Sequence, residues 1–159
     1  MSKPAAPALG IEPAGRKAVS AALGQVLADT FALAFKTQAH HWNVTGPDFP
    51  QLHALFGEQY EALFDAADEI AERIRALGHP APGGLGVMAR AASIADPKPG
   101  LDAAAMVADL LAGQEAASRG ARAAMRLAQQ HGDEATADLM IERMDAHDKA
   151  AWMLRSILG

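Results

Sequence analysis

Apolar residues recur at steps of three and four through four long runs of this chain, and each of the first three runs ends in glycine or proline. That spacing is the period of an α-helix with a buried face. The first run, from about Arg16 to Val44, carries Val19, Leu23, Val26, Leu27, Phe31, Ala34 and Phe35. Thr45-Gly46-Pro47-Asp48 stops it. The second, from about Pro50 to Leu77, reads Leu52, Phe56, Leu63, Ala67, Ile70, Ile74 and Leu77, and the cluster from Gly78 to Gly84 ends it. The third spans about Asp102 to His131, with Val107, Leu110, Leu111, Ala121 and Met125 on one side and Gly132 as its breaker. The fourth runs from about Glu134 to Leu158, with Ala137, Met140, Ile141, Met144, Ala151 and Leu154 inward and Asp133 as its N-cap.

The long segment between the second and third runs contains the apolar Leu85, Val87, Met88 and Ile94, which suggests a short helix covering the others. Four long helices with two tight connections and one long middle crossover predict an all-α fold, an up-down-down-up four-helix bundle of ferritin-like type. An alanine-rich composition, poor in β-branched and aromatic residues, agrees. At 159 residues the chain is one domain, divided into an extended, mobile N-terminal arm over 1–14 and a bundle over 15–159. There is no cysteine, hence no disulfide, zinc finger or thiol nucleophile, which is compatible with a reducing cytosol. No apolar run is expected to reach the ~20 residues of a membrane span. The formal net charge of −5 argues against the whole surface binding nucleic acid.

The chemistry concentrates between His40 and Leu77. A di-iron centre inside one bundle needs Glu-x-x-His on each of two helices. Here Glu72, Glu115 and Glu142 are followed at that distance by Arg75, Ser118 and Asp145, so that centre is excluded. His41, His53, Asp68 and Glu72 are the alternative donors. His41 continues the Leu27–Ala34 heptad, and an antiparallel hairpin brings it level with His53. His53 and Asp68, fifteen positions apart on one helical band, lie roughly 22 Å apart along the axis. No single metal bridges that span. Two copies packed antiparallel about a two-fold would bring the histidines of one to the carboxylates of the other, twice over. Imidazole and carboxylate donors with open positions suit iron. Spacing alone also allows the plainer reading, a solvated acidic helix face beside structural histidines.

The segment His41-Trp42-Asn43-Val44, Gly46, Phe49, Leu52-His53, followed by Asp68 and Glu72-Arg73, resembles the Dps family of bacterial mini-ferritins. So do Asp133 to Asp138 and Lys149 to Arg155 in the last helix. The resemblance implies a homo-dodecameric shell built from two-fold dimers, in a cytoplasmic setting. It implies ferroxidase activity: iron(II) oxidised by hydrogen peroxide or oxygen between subunits, with ferric mineral stored inside against oxidative stress. Its metal ligands carry over to His41, His53, Asp68 and Glu72. Asp133, Asp138 and Glu142 resemble the acidic lining of the family's iron-entry pores, although carboxylates at a helix start also complement the dipole. Trp42 and Tyr60 fall where the family intercepts radicals, with ordinary packing as the alternative. DNA binding is the family's other activity. With only Lys3, Arg16 and Lys17 near the arm, DNA binding is expected to be weak or absent.

One position departs from the family. A carboxylate usually follows the second histidine by four residues, and here that residue is Gly57. Glycine supplies no donor and costs ~1 kcal/mol in a helix interior. The expectation is a weakened site, with a DNA-compacting or structural shell as the alternative function. Gly57 would also make room for Phe64 of a facing copy. Of the other histidines, His79 and His131 belong to helix ends, His147 is structural, and His40 is an exposed neighbour or else an auxiliary ligand or a group supporting one.

Overall fold

The computed structural model describes residues 7–159; Lys3, the first basic residue of the arm, lies outside them. Helix α1 spans Pro13–Asn43, α2 Phe49–Ala76, α3 Leu85–Ala91, α4 Ala103–Gln130 and α5 Glu134–Leu158. The four long helices form the bundle and α3 lies in the crossover, with no strand among the described residues. Pro13 at the first turn of α1 gives up an N–H that would be unpaired there. Ile11, just before it, is already buried in the core.

Contacts between named ends fix the topology. Lys36, late in α1, meets Asp109, early in α4, and Gly15 at the start of α1 faces His131 after α4. Arg73 near the end of α2 reaches Asp133 and Thr136 at the start of α5. Neighbouring helices are therefore antiparallel throughout, which is the up-down-down-up order. The crossover is tied down by Asp29, a buried carboxylate of α1. It accepts from the Ser93 N–H (2.6 Å), the Ile94 N–H (3.2 Å) and the Ser93 hydroxyl.

The core is where the apolar periods placed it, with two kinds of exception. On α1 the buried stripe runs Val19, Leu23, Val26, Thr30, Leu33, Thr37 and His40. Thr30 and Thr37 are tolerated inside because their hydroxyls donate to the carbonyls of Val26 and Leu33 one turn back (2.8 and 2.7 Å). The second exception is apolar residues left outside. Phe35, expected inward, is 43% exposed, and Ile141 is exposed as well. Phe35 instead joins Phe31 and Phe64 in a cluster of edge and stacked contacts on the outer face of α1 and α2. Helix α1 is thus apolar on both sides. By length and composition it could cross a membrane, contrary to expectation, but most of that stretch is buried in the bundle.

Candidate metal half-site at the end of the first helix

Helices α1 and α2 are joined by a short turn, so the last turn of α1 faces the first turns of α2. This brings His41 and His53 together, with ring centroids 3.8 Å apart and planes 18° from parallel. The bonding is reciprocal. His41 Nδ1 donates to the His53 carbonyl oxygen (2.7 Å), and His53 Nδ1 donates to the His41 carbonyl oxygen (2.9 Å). A carbonyl only accepts, so both Nδ1 atoms carry a proton, and in the neutral imidazole this leaves Nε2 as the atom with the lone pair. That is the tautomer a metal-binding imidazole needs, with its orientation fixed by the second nitrogen. Phe49 stacks on His53 at 5.0 Å, and Tyr60 sets its edge on His41 at 5.2 Å.

Gly57 lies against the same ring. A Cβ there would come within 3.3 Å of His41 Cε1, so any side chain requires the imidazole to shift slightly. Asp68 and Glu72 are exposed farther along α2. Among the described residues, no three His, Asp or Glu side chains of this one chain gather into a metal cluster. The pair of histidines is a candidate two-donor half-site. The apolar face beside it carries Phe31, Phe35 and Phe64, together with Leu85, which is 72% exposed.

The remaining singled-out residues separate cleanly. Trp42 is 67% exposed, whereas Tyr60 is half-buried against His41. Asp138 and Glu142 are exposed on α5, but Asp133 is only 1% exposed. It caps α5 by accepting from the Thr136 N–H (3.0 Å) and hydroxyl (2.6 Å), and it pairs with Arg73. Both oxygens of this carboxylate are thus engaged within the chain.

His40 is a correction to the exposed neighbour expected: it is 2% exposed. Its Nε2 bonds Asp109 Oδ2 (2.9 Å), while Lys36 Nζ bonds Oδ1 (2.8 Å). Burial alone pushes the Asp109 carboxyl up, but the hydrogen bonds and charges of Lys36 and His40 together outweigh it and hold the group low. The signal in the sequence was the heptad Leu33–His40, obscured by the threonine between them. His147 is structural, as its place inside α5 suggested. Its Nδ1 donates to Gln114 Oε1 (2.7 Å). Burial first, and then the Arg143 charge, lower its pKa to about 4 against the opposing effect of Asp148.

An antiparallel bundle with a crossover between its second and third long helices defines an all-α ferritin-like protein. The model of the ferritin-like domain matches residues 20–159. The chain is 34% identical over 143 residues to DNA protection during starvation protein 2 of Bacillus anthracis, covering 90% of this chain and 98% of that one. It is 36% identical over 152 residues to an uncharacterized low temperature-induced protein of Nostoc sp., covering 94% and 85%. The crystal structure of the Dps protein from Vibrio cholerae O1, described as one of the ferritin-like diiron-carboxylate proteins, superposes with a TM-score of 0.92. It is 30% identical, and the match covers 99% of this chain and 100% of that one. The chain belongs to the ferritin-like family and, within it, to the Dps proteins. That membership supports a role in iron storage.

Proposed function

We propose that this protein is a cytoplasmic ferroxidase and iron-storage shell, a homo-dodecamer of two-fold dimers that takes Fe(II) as substrate and keeps the ferric product inside. The observation that carries this reading is the His41–His53 pair, each ring tied through Nδ1 to the other residue's carbonyl so that Nε2 is the atom left to bind a metal. Two neutral imidazoles alone do not neutralise a divalent cation, so the site calls for carboxylates. The matching carboxylates, Asp68 and Glu72, sit too far along the same helix to serve their own histidines. A copy related by a two-fold axis supplies them. The exposed Phe35 and Leu85, with the half-buried Phe31 and Phe64 beside them, give that copy an apolar surface to bury.

In this reading His41 and His53 of one subunit and Asp68 and Glu72 of its mate bind ferrous iron. Carboxylate oxygens favour the ferric product over the ferrous substrate, because the added charge interacts with them more strongly. Hydrogen peroxide accepts one electron from each of two ferrous ions and two protons from solvent, its O–O bond breaks to give two waters, and no hydroxyl radical is released. Oxygen is the alternative oxidant. Tyr60, against His41, and Trp42, next to it in the chain, stand where a stray oxidising equivalent would be intercepted. Asp138 and Glu142 line the entry route, where converging carboxylates concentrate cations, with the buried Asp133 capping the helix that carries them.

Gly57 favours a second reading, a structural or DNA-compacting shell with an impaired site, since the position beside His41 holds no donor. Stopped-flow oxidation of Fe(II) separates the two. The ferroxidase reading expects oxidation by peroxide well above the buffer rate and its loss in His53→Ala. Equal rates in buffer, wild type and variant would leave only the shell. DNA binding is expected to be weak at neutral pH and to fall with salt.

A further inference from the structure

The last turn of α1 presents two adjacent histidines to opposite neighbours. His41 bonds α2 through the His53 carbonyl. His40 turns into the bundle and bonds Asp109 on α4, and Lys36, one turn earlier, holds the other oxygen of the same carboxylate. His40 and Lys36 are both buried. Ionic hydrogen bonds shielded from water are strong and directional. The His40 carbonyl also accepts from the Val44 N–H (2.9 Å), which closes the helix, and Val44 is itself buried. Helix α1 is therefore clamped at its end from α4 as well as from α2.

We propose that the Lys36–Asp109–His40 network is a positioning device for the half-site, fixing the rotation of the last turn of α1 so that His41 Nε2 is aimed at the metal. Consecutive helical residues are about 100° apart and rigidly linked, so a rotation that freed His40 would carry the His41 ring away from the His53 carbonyl. None of the three residues belongs to the donor set, and none needs to touch the metal. The inference rests on the reading of His41 as a ligand.

The test uses the full-length assembled protein freed of metal, with Co²⁺ as the probe. His40→Ala is expected to weaken Co²⁺ binding about tenfold or more, the usual effect of losing a group that orients a ligand. His40→Gln, whose amide N–H can still reach Asp109, should restore most of that affinity. A crystal structure of metal-free His40→Ala should show His41 Nδ1 withdrawn from the His53 carbonyl. Asp109→Asn, nearly the same shape, gives a second route to the same loss if His40→Ala does not fold. Unchanged Co²⁺ affinity in His40→Ala or Asp109→Asn would overturn the proposal. So would a loss that His40→Gln does not recover, or a His41 ring still in place in the metal-free variant. If wild type itself binds no Co²⁺, the ligand reading of His41 fails, and the metal-free structures still decide whether the network positions it.

Discussion

Replacing Asp133 by alanine removes two things at once: the cap of α5 and the partner of Arg73. The cap side chain accepts from the Thr136 N–H at 3.0 Å, and losing such a cap costs about 1 kcal/mol. Removing one member of a buried ion pair costs about 3–5 kcal/mol when the other stays fully buried. The Arg73 side chain is partly exposed, so its guanidinium recovers some hydration and keeps its bond to the Thr136 hydroxyl (2.8 Å). The two contributions together come to about 3 kcal/mol. For a chain of this length that lowers Tm by roughly 10 °C. Asp133→Asn keeps an oxygen for the Thr136 N–H and should lose about half as much. Asp138→Asn, on an exposed residue, should stay within about 0.5 kcal/mol of wild type. Thermal unfolding at fixed protein concentration measures all three, and initial rates of Fe(II) uptake are read alongside. A structural Asp133 loses stability, while a pore carboxylate at 138 loses uptake rate. Should Asp133→Ala unfold within 1 kcal/mol of wild type yet take up iron slowly, the assignment of Asp133 to the cap is refuted.

His147 makes stability depend on pH. Its pKa falls from 6.5 to about 4 on folding, so the folded state resists protonation. The stability from keeping it neutral, up to about 3 kcal/mol, is complete above pH 6.5 and lost as pH falls toward 4. His147→Asn should flatten denaturation profiles in that window, and an unchanged slope would contradict the account. Phe64→Glu places a charge in the cluster with Phe31 and Phe35 and should shift the assembly toward smaller species in light scattering; an intact shell would show that this face is not the contact. Gly57→Asp adds a carboxylate beside His41, displaced only slightly by the new Cβ, and should speed Fe(II) oxidation several-fold; a slower variant would mean that the glycine serves the packing of the mate.

The helices were legible because their apolar periods are long and their breakers unambiguous: Gly78 and Gly132 both adopt positive φ just after helices end, where a side chain would be strained. What misled was helix α1. It is apolar on two sides, so periodicity does not say which side faces the bundle, and the step from Phe31 to Phe35 follows the outer side. The true inner stripe contains Thr30, Thr37 and His40, whose polarity hides it until their hydrogen bonds are known. The His41–His53 pairing followed from counting residues on either side of a turn. Their tautomers did not, because these depend on carbonyl positions that no spacing rule gives. Asp133 was recognisable as a cap, but its burial depends on Arg73, sixty residues away in the chain.

The central claim is that each metal site is shared between two chains. Co-assembly of two inactive variants tests it directly. One variant carries His41→Ala and His53→Ala; the other carries Asp68→Ala and Glu72→Ala. Each alone should oxidise Fe(II) at the buffer rate. Unfolded together and reassembled in equal amounts, half the dimers pair unlike chains, and each of those rebuilds one of its two sites, so about a quarter of wild-type activity should return. A mixture that stays at the buffer rate, while wild type put through the same cycle recovers its activity, would contradict the account.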